Sequence, residues 1–99
     1  MTRAEVIAKL KAIEPELRAR GVAALYLFGS YARDEAREGS DIDLFVEPET
    51  EQFYTLANFA GAFTDIQKAV PDCEIGYGTR GGLSKYIRSA VEREAVRVF

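Results

Sequence analysis

The chain reads as one α/β domain, a small mixed β-sheet with helices packed mainly on one face. Three observations carry that prediction. Val22 to Phe28 (VAALYLF) is a short continuous apolar run stopping at a glycine, the mark of a buried strand. Asp41 to Glu47 alternates with period two, placing Ile42, Leu44 and Val46 on one face and Asp41, Asp43, Phe45 and Glu47 on the other. Around these runs, apolar residues recur at three- and four-residue spacings, as in helices that cover a sheet.

Taken in order, Val6, Leu10, Ile13 and Leu17 form one stripe of a helix from Thr2 to about Arg20. Thr2 and Glu5 make a capping box. Pro15 removes a helical N–H and predicts a break or kink near Glu14, and Gly21 is a good stop. The strand Val22–Phe28 then delivers Gly29-Ser30 at its C-terminal end, where ligands sit in α/β sheets. A short helix from about Tyr31 to Ala36 follows, its first amides facing a phosphate and Arg33 one turn inside, within reach of the same anion. Residues 37–40 are turn-like, Asp41 to Glu47 is the second strand, and Pro48 stops it.

Glu49 to about Val70 is expected as a second long helix with the stripe Phe53, Leu56, Phe59, Ala60 and Phe63. Gly61 within it either weakens the helix or admits a closely packed neighbour. Asp72 to Tyr77 reads as a third strand, with Cys73 a small buried filler. Gly78 to Gly82 is a flexible loop in which Arg80 is expected to be solvated, contact with a nucleotide being the alternative. A third helix runs from Leu83 to about Ala95 with Leu83, Ile87, Ala90 and Val91 on one stripe. Val96 to Phe99 alternates as a short edge strand.

Composition narrows the function. Ninety-nine residues suffice for one core and not two, so 1–99 is expected to be a single domain. An apolar fraction of 47% with 29% charged residues is that of a globular chain, not a disordered one. Net charge −3 and a pI near 5.0 argue against nucleic acid as a direct substrate. The single cysteine excludes an internal disulfide and fits a reducing compartment. Without histidine, His-based triads, His general bases and His-ligated metals are excluded. MTRAEVIAKL lacks an apolar signal core and no stretch reaches membrane-spanning length, so a cytoplasmic protein is expected.

The chemistry concentrates in residues 28–47, FGSYARDEAREGSDIDLFVE, with the pattern G-S-x10-D-x-D. Gly29 lets a ligand approach the main chain, and Ser30 adds a hydroxyl beside backbone N–H groups, a way to hold phosphate. Asp41 and Asp43, two apart in a strand, point from one face and suit Mg²⁺ bound together with nucleotide phosphates. Asp72 and Glu74 also alternate onto one face, so either carboxylate can join that pair.

This stretch resembles the signature of the minimal nucleotidyltransferases of the DNA polymerase β-like superfamily, most of all the MNT-type antitoxins that accompany HEPN toxins. Gly29, Ser30, Ala32, Arg33, Ser40, Asp41, Asp43 and Leu44 fall in register. Asp34 stands where that family usually has Gly, at a position suited to a left-handed backbone, which Asp tolerates better than most residues. The resemblance implies a polymerase β-like nucleotidyltransferase fold. It implies ATP bound by Gly29, Ser30, Arg33 and Ser40, and Mg²⁺ and catalysis at Asp41, Asp43 and a third carboxylate. Glu74, between Cys73 and Ile75, matches the register of the third position, with Asp72 the runner-up; the family usually has Asp, and glutamate reaches about 1.5 Å further.

The implied reaction moves AMP from Mg-ATP to a protein hydroxyl, expected to be a tyrosine of a cognate HEPN-type toxin, with this chain as antitoxin. Three rivals share the motif. An enzyme for small molecules such as aminoglycosides usually adds a helical domain, for which the expected single domain leaves no room. A degraded antitoxin that acts by binding alone is favoured by Glu74 and Asp34. A nucleic-acid tailing enzyme conflicts with the acidic balance and small size.

Overall fold

A computed structural model describes residues 1–99. Its centre is a four-stranded mixed sheet of β1 (Val22–Phe28), β2 (Ile42–Pro48), β3 (Ile75–Thr79) and β4 (Val96–Arg97), in the order β3-β2-β1-β4. β1 is antiparallel to β2 and β4, while β2 and β3 are parallel, so the sheet is mixed as expected. The edge strand continues past its formal end, because the Val98 N–H donates to the Leu25 carbonyl at 2.8 Å. No helix is long and apolar enough to cross a membrane.

The two central strands are the most apolar segments, and they divide the molecule by their period of two. Leu25, Leu27, Ile42, Leu44 and Val46 all enter the main core, the faces predicted for β2 being the faces observed. That core is closed by helices α1 (Arg3–Lys11), α2 (Glu14–Ala19) and α4 (Leu56–Ala69), through Val6, Leu10, Leu17, Ala62 and Ile66. Between the central strands lies the four-residue helix α3 (Gly29–Ala32), whose Tyr31 and Ala32 are buried. On the opposite face of the sheet lies α5 (Lys85–Glu94), which contributes the buried Val91. Helices therefore pack mainly, but not only, on one face.

The predicted first helix is two helices. Thr2 caps α1 with both arms of the capping box, its Oγ1 accepting from the Glu5 N–H at 3.1 Å. The break falls at Ala12-Ile13, and Pro15 occupies the first turn of α2, where its missing N–H costs nothing. Gly21 ends α2 with φ +98°.

The predicted second helix begins later than expected. Glu51–Tyr54 forms a separate 3₁₀ turn that buries Phe53, and Thr55 caps α4 by accepting from the Asn58 N–H at 3.3 Å. The residues of α4 turned to the core are Phe59, Ala62 and Ile66, leaving Leu56 83% exposed and Ala60 on the surface. Gly61 admits a neighbour, as one of its two predicted roles required. A Cβ there would overlap the Arg20 guanidinium, which crosses α4 to pair with Asp65 at 2.7 Å and bond the Ala57 carbonyl at 3.2 Å.

The third strand and third helix also shift. Asp72 to Glu74 precede β3, and Gly78-Thr79 belong to the strand rather than to a loop. Ser84 caps α5, accepting from the Tyr86 N–H at 3.3 Å, so Leu83 lies outside the helix. Of the predicted stripe within α5 only Val91 is buried, and Ile87 and Ala90 are exposed.

Arg80 is where expectation and structure part most clearly. Phe45 is fully buried although it lies on the sheet face away from the main core. Its ring stacks on Tyr26 with centroids 4.8 Å apart, and Phe28 lies 5.8 Å away. The Arg80 guanidinium covers this cluster, 5.0 Å from the Tyr26 centroid and 5.4 Å from that of Phe45, and pairs with Glu47 at 2.6 Å. A planar cation suits that task, because it stacks on rings while keeping its edge for a carboxylate. Arg80 is therefore a half-exposed lid on the second face, stacked on the rings and paired with Glu47 rather than free in solvent. Arg80→Ala is expected to lower stability in urea unfolding by about 1–2 kcal/mol, with Arg80→Lys recovering only part. An unchanged unfolding midpoint in the alanine variant would contradict this role.

Candidate active site

Register builds the site. Phe28, Asp43 and Gly76 stand side by side across β1, β2 and β3, and Gly29 follows Phe28 directly. Gly29 has φ +75°, a left-handed conformation that turns the chain out of β1 into α3. A Cβ at Gly29 would overlap the Asp43 Oδ2 and lie 3.2 Å from its Cγ. A Cβ at Gly76 would lie 2.7 Å from the Asp43 Oδ1. The Asp43 carboxylate thus sits in a slot between two backbones, and neither wall can carry a side chain in place. Gly76 had no assigned role in the sequence, where its one signal was a glycine within an otherwise strand-like run.

Asp41 precedes β2 and is exposed, whereas Asp43 is half-buried. Burial raises the Asp43 carboxyl above its ordinary value, and the Asp41 charge adds to the shift; Arg33 opposes it and Glu94 reinforces it. The charge of Asp41 reaches the Asp43 carboxyl, in keeping with the D-x-D spacing. Neither aspartate belongs to an ion pair of this structure. Two hard oxygen donors, one half-buried without a paired cation, form a donor set that fits Mg²⁺.

The phosphate-loop residues are closely placed but differ from expectation in detail. α3 begins at Gly29 itself and ends at Ala32, so Arg33 is its C-terminal cap rather than a residue inside it. The cause is Asp34, which adopts φ 59°, the left-handed conformation anticipated at this position, and ends the helix. Ser30 stands beside Gly29 at the start of α3, half-buried. The Gly29 N–H donates to the Glu94 Oε1 at 3.1 Å, and Arg33 Nη1 donates to the Glu94 Oε2 at 2.9 Å. Glu94, the last residue of α5, had no assigned role in the sequence, since only folding brings it to Gly29. Ser40 closes the turn before β2, its Oγ accepting from the Arg37 N–H at 2.9 Å.

Glu74 lines a different cleft from Asp43. Its carbonyl accepts from the Ile42 N–H at 2.9 Å, which fixes it next to the start of β2. With Ser40, Asp72 and Cys73 it lines a cleft of about 570 Å³ floored by Tyr31. Asp43 instead lines a second cleft of about 280 Å³, with Phe28, Gly76, Gly78 and Leu83. No three carboxylate or thiol side chains converge into a metal-holding group, so the expected set of Asp41, Asp43 and a third carboxylate from Glu74 or Asp72 is not assembled. Cys73 is half-buried, its Sγ 3.9 Å from the hydroxyl of Tyr31, and packs against the core as the expected filler.

Comparison with known proteins accords with this arrangement. A family model described as a nucleotidyltransferase domain matches residues 10–98. A relative from Thermococcus cleftensis named protein adenylyltransferase MntA is 33% identical over 99 residues, spanning 99% of this chain and 97% of its own. A solved structure provisionally named a minimal nucleotidyltransferase superposes with a TM-score of 0.80 at 30% identity, covering 97% of this chain and 95% of that one. A provisionally named nucleotidyltransferase from Sulfolobus solfataricus shares the fold at a TM-score of 0.54 and 15% identity, over 96% of this chain and 80% of its own. With a family match across most of its length and the Gly-Ser turn set against an aspartate pair, the chain belongs to the nucleotidyltransferase domain family.

Proposed function

We propose that this chain transfers AMP from Mg-ATP to a hydroxyl of a protein partner, a tyrosine of a HEPN-type toxin, and so acts as an antitoxin. The observation that carries the reading is the Asp43 carboxylate held in the slot between Gly29 and Gly76, directly beside the backbone turn and the arginine suited to phosphate. The similarity to a protein adenylyltransferase supports protein as the acceptor class.

In this reading Gly29, Ser30 and Arg33 hold the β- and γ-phosphates, and Ser40 shapes the turn that presents Asp41. Asp41 and Asp43 hold Mg²⁺, which when bound neutralises charge developing on the α-phosphate and on pyrophosphate. The nucleoside lies in the cleft lined by Phe28, Gly76 and Gly78. The acceptor enters from the opposite cleft, where Glu74 takes the proton from its hydroxyl. The hydroxyl oxygen forms a bond to the α-phosphorus in line, the bond from that phosphorus to the oxygen bridging to the β-phosphate breaks, and pyrophosphate leaves with the electron pair. In this reading the two clefts give donor and acceptor separate entrances.

Intact-mass spectrometry of a HEPN-type partner incubated with this chain, ATP and Mg²⁺ tests the reading. A gain of one or more AMP units is expected, and none with the double variant Asp41→Ala, Asp43→Ala. A stable complex with no mass gain from any nucleoside triphosphate would leave an antitoxin that acts by binding alone.

A stability signature accompanies the same site. With the Asp43 carboxyl raised in the folded protein, the native state holds that proton more tightly than the unfolded chain. Metal-free stability from this group therefore falls as pH rises from the ordinary value of 3.8 through the raised one. Asp43→Asn removes that cost and is expected to raise the melting temperature in EDTA at pH 7 by roughly 2–4 °C, while abolishing transfer. The gain should disappear below the ordinary aspartate pKa. A variant that melts below the parent at pH 7 would refute this account of the slot.

A further inference from the structure

We propose that Glu94 is a resident anion that occupies the phosphate-binding groups of the free protein and must be displaced before a nucleotide can bind. The Glu94 carboxylate engages Gly29 and Arg33 at once, one oxygen accepting from the Gly29 N–H at 3.1 Å and the other from Arg33 Nη1 at 2.9 Å. These are two of the three residues assigned above to the triphosphate, and the inference rests on that assignment. A carboxylate bridging a backbone amide and a guanidinium makes the same charge-assisted bonds that a phosphate makes.

The position of Glu94 suits displacement. It is the last residue of α5, and Ala95 already leaves the helix with ψ 138°, so releasing the carboxylate disturbs no helical hydrogen bond further on. Its side chain is 29% exposed, giving it a path to water. Arg33 keeps a second carboxylate, Glu35 at 3.2 Å, on the solvent side. Glu94 also adds a third negative charge near Asp41 and Asp43, and its field raises the Asp43 carboxyl. Replacing it by a phosphate moves that charge into solvent and leaves Arg33 neutralised. While the carboxylate holds both donors, apparent nucleotide affinity is reduced by the fraction of time they are vacant. The same contact also ties α5 to α3, so a purely structural clasp is the competing explanation, and the two differ in what happens to affinity.

The test compares the full-length chain with Glu94→Gln and Glu92→Gln, the latter changing a neighbouring carboxylate that faces Arg80. Calorimetric titration uses two probes, sodium tripolyphosphate and α,β-methylene-ATP with Mg²⁺. Glu94→Gln is expected to bind both roughly tenfold tighter than the parent, with Glu92→Gln unchanged. Equal or weaker binding by a folded Glu94→Gln overturns the proposal while leaving the nucleotide assignment intact. Absence of binding by both the parent and Glu94→Gln removes the assignment, and the proposal with it. NMR on the labelled parent provides a readout that needs no variant. Tripolyphosphate should shift the Gly29 amide and the Glu94 side-chain carboxyl carbon together, and binding without movement at Glu94 also overturns the proposal.

Discussion

The site depends on the close approach of two backbones to one carboxylate. Asp43 stands on the central strand with Gly29 over one oxygen and Gly76 over the other. Each glycine is there for space, and Gly29 also for a left-handed turn that no β-branched or bulky residue takes readily. The slot fixes the Asp43 carboxylate without consuming its acceptor capacity in ion pairs. Preorganisation of this kind positions a carboxylate through packing rather than through hydrogen bonds that would have to be broken on binding.

The sheet makes the slot possible because its two faces do different work. One face of β1 and β2 is wholly apolar and anchors α1, α2 and α4, so the strands are fixed by burial alone. The other face carries Asp43 at one end and the Tyr26–Phe45 stack at the other. That second face is too polar for a helix pair and too aromatic to face water, and Arg80 resolves the conflict with its planar cation. Burying the stack under Arg80 leaves the Asp43 end open to the cleft beside it.

Charge around the slot is unbalanced in the folded protein. Asp41, Asp43 and Glu94 surround a single nearby arginine, Arg33, which Glu35 also contacts. A cluster of carboxylates with so little compensation is costly in isolation, and in the proposed function a divalent cation at the aspartates and a polyphosphate at Arg33 would offset that cost. The net charge of −3 is in part an expression of this site.

The sequence by itself determined whatever depends on neighbours along the chain. The Thr2 capping box, the helix stop at Gly21, the two faces of β2 and the left-handed turn at Asp34 are all set by steric and hydrogen-bonding rules that act over a few residues. The G-S-x10-D-x-D spacing belongs with them, because a strand, a turn and a second strand convert it directly into proximity. Tertiary structure decided the rest. The stripe of α4 was only partly placed, because packing against the sheet decides which side of a helix is buried, and Phe53 has the same apolar character in a separate turn as in a helix. Glu74 and Asp43 line different clefts, a separation that alternation along one strand does not reveal. Arg80, Gly76 and Glu94 took their roles from partners distant in sequence, Glu94 lying 65 residues from Gly29. Local rules fix a residue's own conformation, whereas what a charge or a missing side chain does depends on the groups that folding brings against it.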